Sequence, residues 1–451
     1  MKLMGDGCRC AAVTFLATAL GGPAHAIDLI ERDGFRLDLG LEAGAGYFLS
    51  ENTNFGGRID ARSGENTGDA QWGEGYIEPS LGFEMETEGA GSLYGATSVI
   101  GALTVGDGDA GGFTRDDGDL DLELLYAGWR SGTLLADSLG EDALDLSAGR
   151  QEFHVGDGFL IWDGDFDSAG DAVYWLGPRT AFDFAGVARL DAGALGGQAF
   201  YLRGDRDQGH TEPVGVNLDY DAGFGTLGAM YLQVVHTDPA FDAETPREGM
   251  QVATVRLNDG RMPGFEDIGL NAQYVKEFGD GDAVEFDADA FYVEPSYTFS
   301  WLPWSPVLAY RFAYFSGDAA PGDDTRQDFD PLFYDYSRGW GTWTQGEVVG
   351  EYLLFNSNQV NHMVHLSAAP NDAVGLGAIY YHFDLAERAY LGTPVSDKDF
   401  AGEVDLYVDW TVSENLFVGA VYGVALPQAA AEELFGDDPF HVFQVYAIVN
   451  F

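Results

Sequence analysis

The stretch DLDLELL, residues 119–125, sets a carboxylate at every second position, Asp119, Asp121 and Glu123, with Leu120, Leu122 and Leu124 between them. In a helix these acids and leucines would scatter around the circumference, whereas in a strand successive side chains point to opposite faces. One face is then acidic and the other leucine. A soluble sandwich would bury the leucines and wet the acids. A transmembrane barrel would turn the leucines to lipid and the acids to a wet lumen. One strand fits both, so the rest of the chain decides.

The alternation recurs from end to end. In VEFDADAF (284–291), Glu285, Asp287 and Asp289 oppose Phe286, Ala288 and Ala290; in EVDLYVDW (403–410), Glu403, Asp405 and Asp409 oppose Val404, Leu406, Val408 and Trp410. Scanning for such runs gives about nineteen candidate strands, from one near residue 35 to one near residue 442. One of them begins near residue 347, and the weakest near residue 214. Tight connections such as Thr87 to Gly91, Asn371-Asp372 and Ser413 to Asn415 alternate with long, acidic, glycine-rich ones such as Ser50 to Glu74 and Gly317 to Asp330. Short and long connections in alternation on a meander are the pattern of an outer-membrane barrel, and bacterial single-chain barrels have even strand numbers, so about eighteen strands are expected. No composition shift marks a second domain, and no solenoid-type repeat is present.

The N-terminus, MKLMGDGCRCAAVTFLATALGGPAHA, places Lys2 and Arg9 before an apolar run that ends at Ala24-His25-Ala26. This reads as a cleaved secretory signal over residues 1–26, followed by a single barrel over 27–451. The apolar part is too short to span a bilayer, and no later segment supplies about 18 consecutive apolar residues. Cys8 and Cys10 both fall inside the signal, so a mature chain would carry no disulfide. The 451 residues include 62 Gly, 22 Tyr and 31 Phe, which suits strands joined by glycine and aspartate turns. The chain closes on VFQVYAIVNF, with Phe451 terminal and Val449, Ala447, Val445 and Phe443 on its face. An aromatic at the end of such a strand is a signal of bacterial outer-membrane proteins. The fold class expected is all-β, a transmembrane antiparallel barrel of the bacterial outer membrane.

Three segments carry a resemblance. GRQEFHVGDGFLIWDGDFD (149–167), WLGPRTAF (175–182), and RFAYFSGD (311–318) with FDPLFYDYSRGWGTW (329–343) and GEYLLFNSN (350–358) together resemble the alginate-export family of outer-membrane barrels. The likeness is densest over 149–190 and 305–384. It implies an eighteen-stranded barrel that passes an anionic uronate polysaccharide along lumenal arginines, with loops gating the path.

Alternation selects arginines for that part. Arg189 alternates against Phe184 and Leu190, Arg203 against Phe200 and Leu202, Arg256 against Val255 and Leu257, and Arg311 against Tyr310 and Phe312, so all four are expected to point inward. A guanidinium grips a carboxylate with two parallel hydrogen bonds, which suits a uronate. The bland alternative is that each neutralises a wall acid, as Asp183 beside Arg189. Arg150 and Arg179 lie in the resembling motifs; Arg150 shares parity with Leu146 and Ala148, so it must sit beyond the lipid band or past a bulge. Asp121, Glu123, Asp183, Asp287 and Asp405 are the acids expected in the lumen.

Charge pulls the other way. With 22 Lys+Arg against 74 Asp+Glu the formal net charge is -52, and carboxylate-rich walls repel polyanions and favour cations. A saline habitat or divalent-ion bridging to lipopolysaccharide would also account for it. Nucleic acid is excluded as a partner. Asp163, Asp165 and Asp167 have the first spacings of a calcium loop, but Ser168 and Tyr174 stand where such a loop needs glycine and glutamate, leaving only loop calcium of a looser kind. Gly106, Gly108 and Gly111 match a phosphate-loop spacing but lead into an acidic loop rather than a helix. His362 and His365 face opposite ways on a strand, and no serine, histidine and acid set has a hydrolase context.

The expectation is thus a monomeric passive channel, not an enzyme and without a resident cofactor. Its cargo would be an acidic polysaccharide or its oligosaccharides. The alternative is a cation-preferring or neutral-solute porin, and a remoter one is a barrel adhesin or outer-membrane enzyme. Outer-membrane lipid, lipopolysaccharide and the barrel assembly machinery are the partners expected.

Overall fold

A computed structural model of the chain describes residues 27–57, 68–111, 117–162, 172–176, 180–281, 284–320, 322–334 and 345–451. The wall begins with β1 (Phe35–Glu51), β2 (Ala70–Thr87), β3 (Gly91–Gly106), β4 (Asp117–Arg130), β5 (Leu144–Gln151) and β6 (Phe182–Ala192). It continues through β7 (Leu195–Arg203), β8 (Glu212–Asp221), β9 (Thr226–His236), β10 (Gln251–Met262), β11 (Phe265–Asp280) and β12 (Glu285–Thr298). It ends with β13 (Val307–Phe315), β14 (Gln359–Asn371), β15 (Val374–Leu385), β16 (Asp399–Ser413), β17 (Leu416–Pro427) and β18 (Phe440–Asn450). Each strand pairs antiparallel with the next, and β18 returns to β1 to close an 18-stranded barrel. Closure satisfies every backbone group inside lipid, which an open sheet cannot do. Among the described residues no helix is long and apolar enough to cross a membrane.

At the seam Glu42 faces Asn450 and Glu51 faces His441. Below them Leu41 and Phe451 exchange two backbone hydrogen bonds of 2.9 Å, so the terminal aromatic completes the ladder. A further short strand, Ile27–Arg32, pairs with the first residues of β1 on the same edge. Most turns after even-numbered strands are short, as at Thr87–Gly91 and Asn371–Val374, with 131–143 after β4 the longest of that set, and most connections after odd-numbered strands are longer, with 281–284 after β11 the shortest; the first set belongs to the periplasmic side.

The outer face carries the expected apolar row. Leu120 is 75% exposed, and Val255 and Leu406 are likewise open to lipid. A register shift between Thr97 and Val99 of β3 inserts one extra residue in β4 between Leu122 and Leu125. The bulge falls inside DLDLELL itself, so Leu125 rather than Leu124 resumes the lipid row.

All but one of the candidate strands correspond to a wall strand, including the weak one near 214, which is β8. The exception is the candidate near 347. There Gly350–Leu354 forms a π-helical turn, buried throughout, in the connection from β13 to β14. A short apolar run buried on all sides has no exposed face to reveal its period.

That turn belongs to one of two loops whose described residues fold into the lumen, 152–162, 172–176 and 180–181 after β5, and 316–320, 322–334 and 345–358 after β13. Phe153, Phe159, Leu160 and Ile161 of the first pack with Phe329, Leu332 and Phe333 of the second against Val187, Phe200, Leu202, Phe286, Ala288, Ala290 and Tyr292 of the wall. Val348, Val349 and Tyr352 to Leu354 build a second cluster on Tyr381, Phe383, Phe400 and Phe440. The loops join each other where Trp162 N–H donates to Phe333 O at 2.7 Å and Phe333 N–H to Leu160 O at 3.1 Å. Burying each large apolar side chain stabilises the infolded state by about 1.5–3 kcal/mol.

This internal core corrects two readings of alternation. In VEFDADAF the inward side chains are Phe286, Ala288 and Ala290, and Asp287 points outward, 55% exposed and paired with Lys276. On β7 Phe200 and Leu202 are the inward residues, so Arg203 shares the outward parity of Tyr201, stands opposite exposed Phe184 and pairs with Asp183 at 3.6 Å. Both errors arise from assuming that the apolar face meets lipid. Where a loop fills the lumen, the apolar face is the inner one.

Candidate functional site

Wall carboxylates hold the infolded loops in place by accepting their backbone N–H groups. Glu74 on β2 takes Trp175 N–H at 2.8 Å and Leu176 N–H at 2.9 Å on one oxygen, and the Trp72 indole at 2.7 Å on the other. Glu123 on β4 takes Thr180 and Ala181 N–H, both at 2.9 Å. For the second loop, Glu403 on β16 takes Val348 N–H at 2.9 Å and Val349 N–H at 2.7 Å, and Glu277 on β11 takes Asp330 N–H at 3.1 Å. All four side chains are buried. A carboxylate taking two amide donors at once is a strong acceptor, and each pair fixes the tilt of a peptide segment as well as its distance.

The face that alternation marks as acidic is therefore inward here but not open to water along these stretches. Asp405 lies fully buried one position beyond Glu403 on the same face. Further ties come from Asp157 of the first loop, which accepts the Tyr292 hydroxyl at 2.5 Å and the Asn258 amide at 3.0 Å. In the second loop Asp330 is gripped by Arg247, with Nε at 2.8 Å and Nη2 at 2.9 Å, while Arg326 approaches at 3.4 Å.

The arginines divide by the company they keep. Arg311 points inward and is 0% exposed, bound to Glu294 and donating to Gln345 Oε1 at 2.9 Å; it is a loop anchor rather than a free guanidinium. Arg256 points inward and is buried, its Nη2 shared by Asn217 at 2.9 Å and Asp219. Arg189 lies over the Phe153 ring with its guanidinium 5.8 Å from the centroid, and among the described residues no carboxylate pairs with it. Asp183 belongs instead to Arg150 and Arg203.

Arg150 sits at a register shift between Gly149 and Gln151, where Gly149 has φ +132°, and its Nε donates to the Glu123 carbonyl at 3.1 Å. With Asp121 and Asp183 it lines a polar cavity of about 460 Å³. Arg179 and the calcium candidates Asp163, Asp165 and Asp167 lie outside the described residues.

A second cavity, of about 430 Å³, opens at the short-turn end of β5 to β9, with Arg189 and Gln198 among Asp142, Asp145, Asp191, Asp219 and Asp221. Arg130 joins this end of the lumen, its Nε 3.2 Å from Asp145 and its guanidinium 4.1 Å over the Tyr94 ring. Alternation misses Arg130 because the bulge in β4 reverses parity five residues before it. The inner surface at this mouth is a row of cations and acids, Arg130, Asp145, Arg189, Asp219 and Arg256, carried on strands from β4 to β10.

Residues 104–422 match the model of a family described as alginate export. No curated protein sequence matches significantly. Among solved structures, OccAB2 of Acinetobacter baumannii superposes with a TM-score of 0.59 at 10% identity, over 92% of this chain and 98% of that one. The outer membrane protein OprD of Pseudomonas aeruginosa gives 0.56 at 12% identity, over 95% of each chain. OccK11 (OpdR) of the same organism gives 0.54 at 12% identity, over 92% and 95%. At such identities the likeness is one of fold.

Proposed function

The chain belongs to the alginate export family, a porin-like barrel of the bacterial outer membrane, and from that premise we propose a passive channel for an acidic polysaccharide or its oligosaccharides, gated by the two infolded loops. Arg189 carries the reading. It is a guanidinium on the lumen wall with no carboxylate partner among the described residues, set over an aromatic ring of the first loop. A uronate reaching the mouth from the periplasm meets there a planar bidentate donor backed by a buried aromatic ring, and such a donor suits the carboxylate of a sugar acid. Arg130 and Arg256 flank it with their charges already matched by Asp145 and Asp219. They set the local potential without gripping the chain, so passage stays weak and multi-site, as conduction requires.

Gating on this reading is mechanical. The loops fill the lumen with apolar side chains and are tied to the wall by hydrogen bonds to Glu74, Glu123, Glu277 and Glu403, by apolar packing, and by a short backbone pairing of Thr325 and Arg326 with β12, so a passing chain displaces them by breaking these contacts while the 18-stranded ladder persists. The channel acts as a monomer surrounded by lipid and lipopolysaccharide, inserted by the barrel assembly machinery, and carries out no chemistry.

The five aspartates around Arg189 support a second reading, a cation-preferring or neutral-solute porin. Planar-bilayer recording separates them: oligouronate added on the short-turn side blocks current in the first case, and a reversal potential of cation sign with no such block establishes the second.

A further inference from the structure

We propose that His382, Asp384 and Asp399 form a divalent-cation site of the zinc class on the outer wall, where β15 and β16 leave the membrane. One ligand atom from each lies within 4.8 Å of the others. The imidazole Nε2 is 3.5 Å from Asp384 Oδ2 and 4.0 Å from Asp399 Oδ1. Ligands of a tetrahedral ion held at about 2.1 Å stand roughly 3.4 Å apart, so a small contraction completes the set.

The local backbone is built to bring these groups together. Tyr381, Phe383 and Leu385 pack in the lumen, which turns His382 and Asp384 outward. By simple alternation Asp399 would share the inward parity of Ala401. A register shift between Phe383 and Asp384 instead sets Asp399 directly opposite Asp384, on the outer side. Bulges re-aim a side chain in this way.

Charge supplies the second observation. Two carboxylates placed opposite each other across a ladder repel. Among the described residues the single basic group within salt-bridge distance of either is His382, and Asp399 Oδ1 is buried without a hydrogen bond. Lys398, next in sequence, is turned away to the Ala386 carbonyl and Glu387. His362, across the β14–β15 pair from His382, has its Nδ1 engaged by the Tyr310 hydroxyl at 2.7 Å. Two anions, one imidazole and an oxygen lacking a donor match a divalent cation better than a proton. Imidazole with carboxylates favours zinc, nickel or copper over calcium, and three protein ligands leave a position open toward the headgroup layer.

Zinc binding to the purified, folded full chain in detergent at neutral pH tests the site by isothermal titration, with His382→Gln, Asp384→Asn and Asp399→Asn beside it. The wild type is expected to bind one equivalent of zinc more than each variant, or to bind that equivalent about tenfold or more tightly. Calcium at equal concentration should not replace it, and acidification should release it as the imidazole takes a proton. Heat-modifiable mobility confirms that all four proteins are folded, and because the three substitutions lie on the outer rim, no more than one is needed in folded form. Equal zinc stoichiometry and affinity in wild type and variants would leave the trio an ion pair and overturn the proposal, and calcium displacing zinc at equal concentration would overturn its assignment to zinc.

Discussion

Arg311 and Glu294 form a two-pronged ion pair in the barrel wall, with Nε at 2.7 Å and Nη2 at 2.6 Å from the same Glu294 oxygen, and the third guanidinium nitrogen holds Gln345 at 2.9 Å. A residue that alternation selects for a solute path is thus the peg on which the second loop hangs. Arg311→Met should remove the guanidinium from buried Glu294, at a local cost of about 3–5 kcal/mol. The strand ladder does not depend on this pair. Single-channel conductance is expected to rise, while the folded band in heat-modifiable electrophoresis persists. Unchanged conductance in a folded variant would mean that the 345–354 segment does not occlude the path.

The two loops have separate anchors, which makes their contributions separable. Glu403→Ala removes the acceptor of Val348 and Val349, and Glu74→Ala removes that of Trp175 and Leu176. Each lost hydrogen bond to a charged group is worth about 1.5–3 kcal/mol. Each variant should increase trypsin or chymotrypsin cleavage in its own loop alone, and the double variant should open the channel further than either. Cleavage of both loops by either single change would show that the contact from Ile161 to Phe333 couples them.

Period-two alternation reveals the barrel because lipid outside is uniformly apolar, so Leu120, Val255 and Leu406 repeat the same instruction on strand after strand. The lumen gives no such constancy. Opposite the infolded loops it is apolar, and there Asp287 and Arg203 are read to the wrong side while Phe286 and Leu202 are taken for lipid contacts. Bulges add the second difficulty. One extra residue in β4 hides Arg130, and one in β6 between Phe182 and Ala185, opposite Arg150, leaves Arg150 ambiguous, and neither insertion has a mark in the local composition. The anchoring glutamates are visible as inward acids, but their partners are backbone amides contributed by loops 53 to 102 residues away in sequence, which no pattern within a strand can announce.

The clamp at Asp330 should respond to acid. Burial alone would raise its pKa, but the guanidiniums of Arg247 and Arg326 outweigh burial and bring it down to about 2. A carboxylate with a depressed folded-state pKa stabilises the fold fully above its unfolded value, near 3.8, and loses that contribution as pH falls through about 2. The attachment of the second loop through Arg247 is therefore expected to hold at pH 5 and to weaken between about pH 4 and pH 2. Asp330→Asn should show the weakened state at neutral pH. Tryptophan fluorescence and channel conductance followed across that range check both; a wild type indifferent down to pH 2, with Asp330→Asn identical to it, would contradict the assignment.

Selectivity at the short-turn mouth should rest on Arg189 more than on its neighbours. Arg256 is buried and bound to Asp219, and Arg130 is bound to Asp145, so each presents nearly a neutral pair to a passing ion. Arg189 presents its charge, and its position over Phe153 contributes cation–π attraction of about 0.5–1 kcal/mol, a small part of the packing there. Arg189→Glu should leave the barrel folded and move the reversal potential in a salt gradient toward cation preference. Arg189→Gln should move it by about half as much, because one charge rather than two is changed. Arg130→Gln should move it less than Arg189→Gln, since its removal exposes Asp145 but also frees the Tyr94 hydroxyl's acceptor to reorganise locally. If Arg130→Gln and Arg189→Gln shift the reversal potential equally, the mouth acts as one averaged field, and the particular role given to Arg189 in meeting a uronate fails with it.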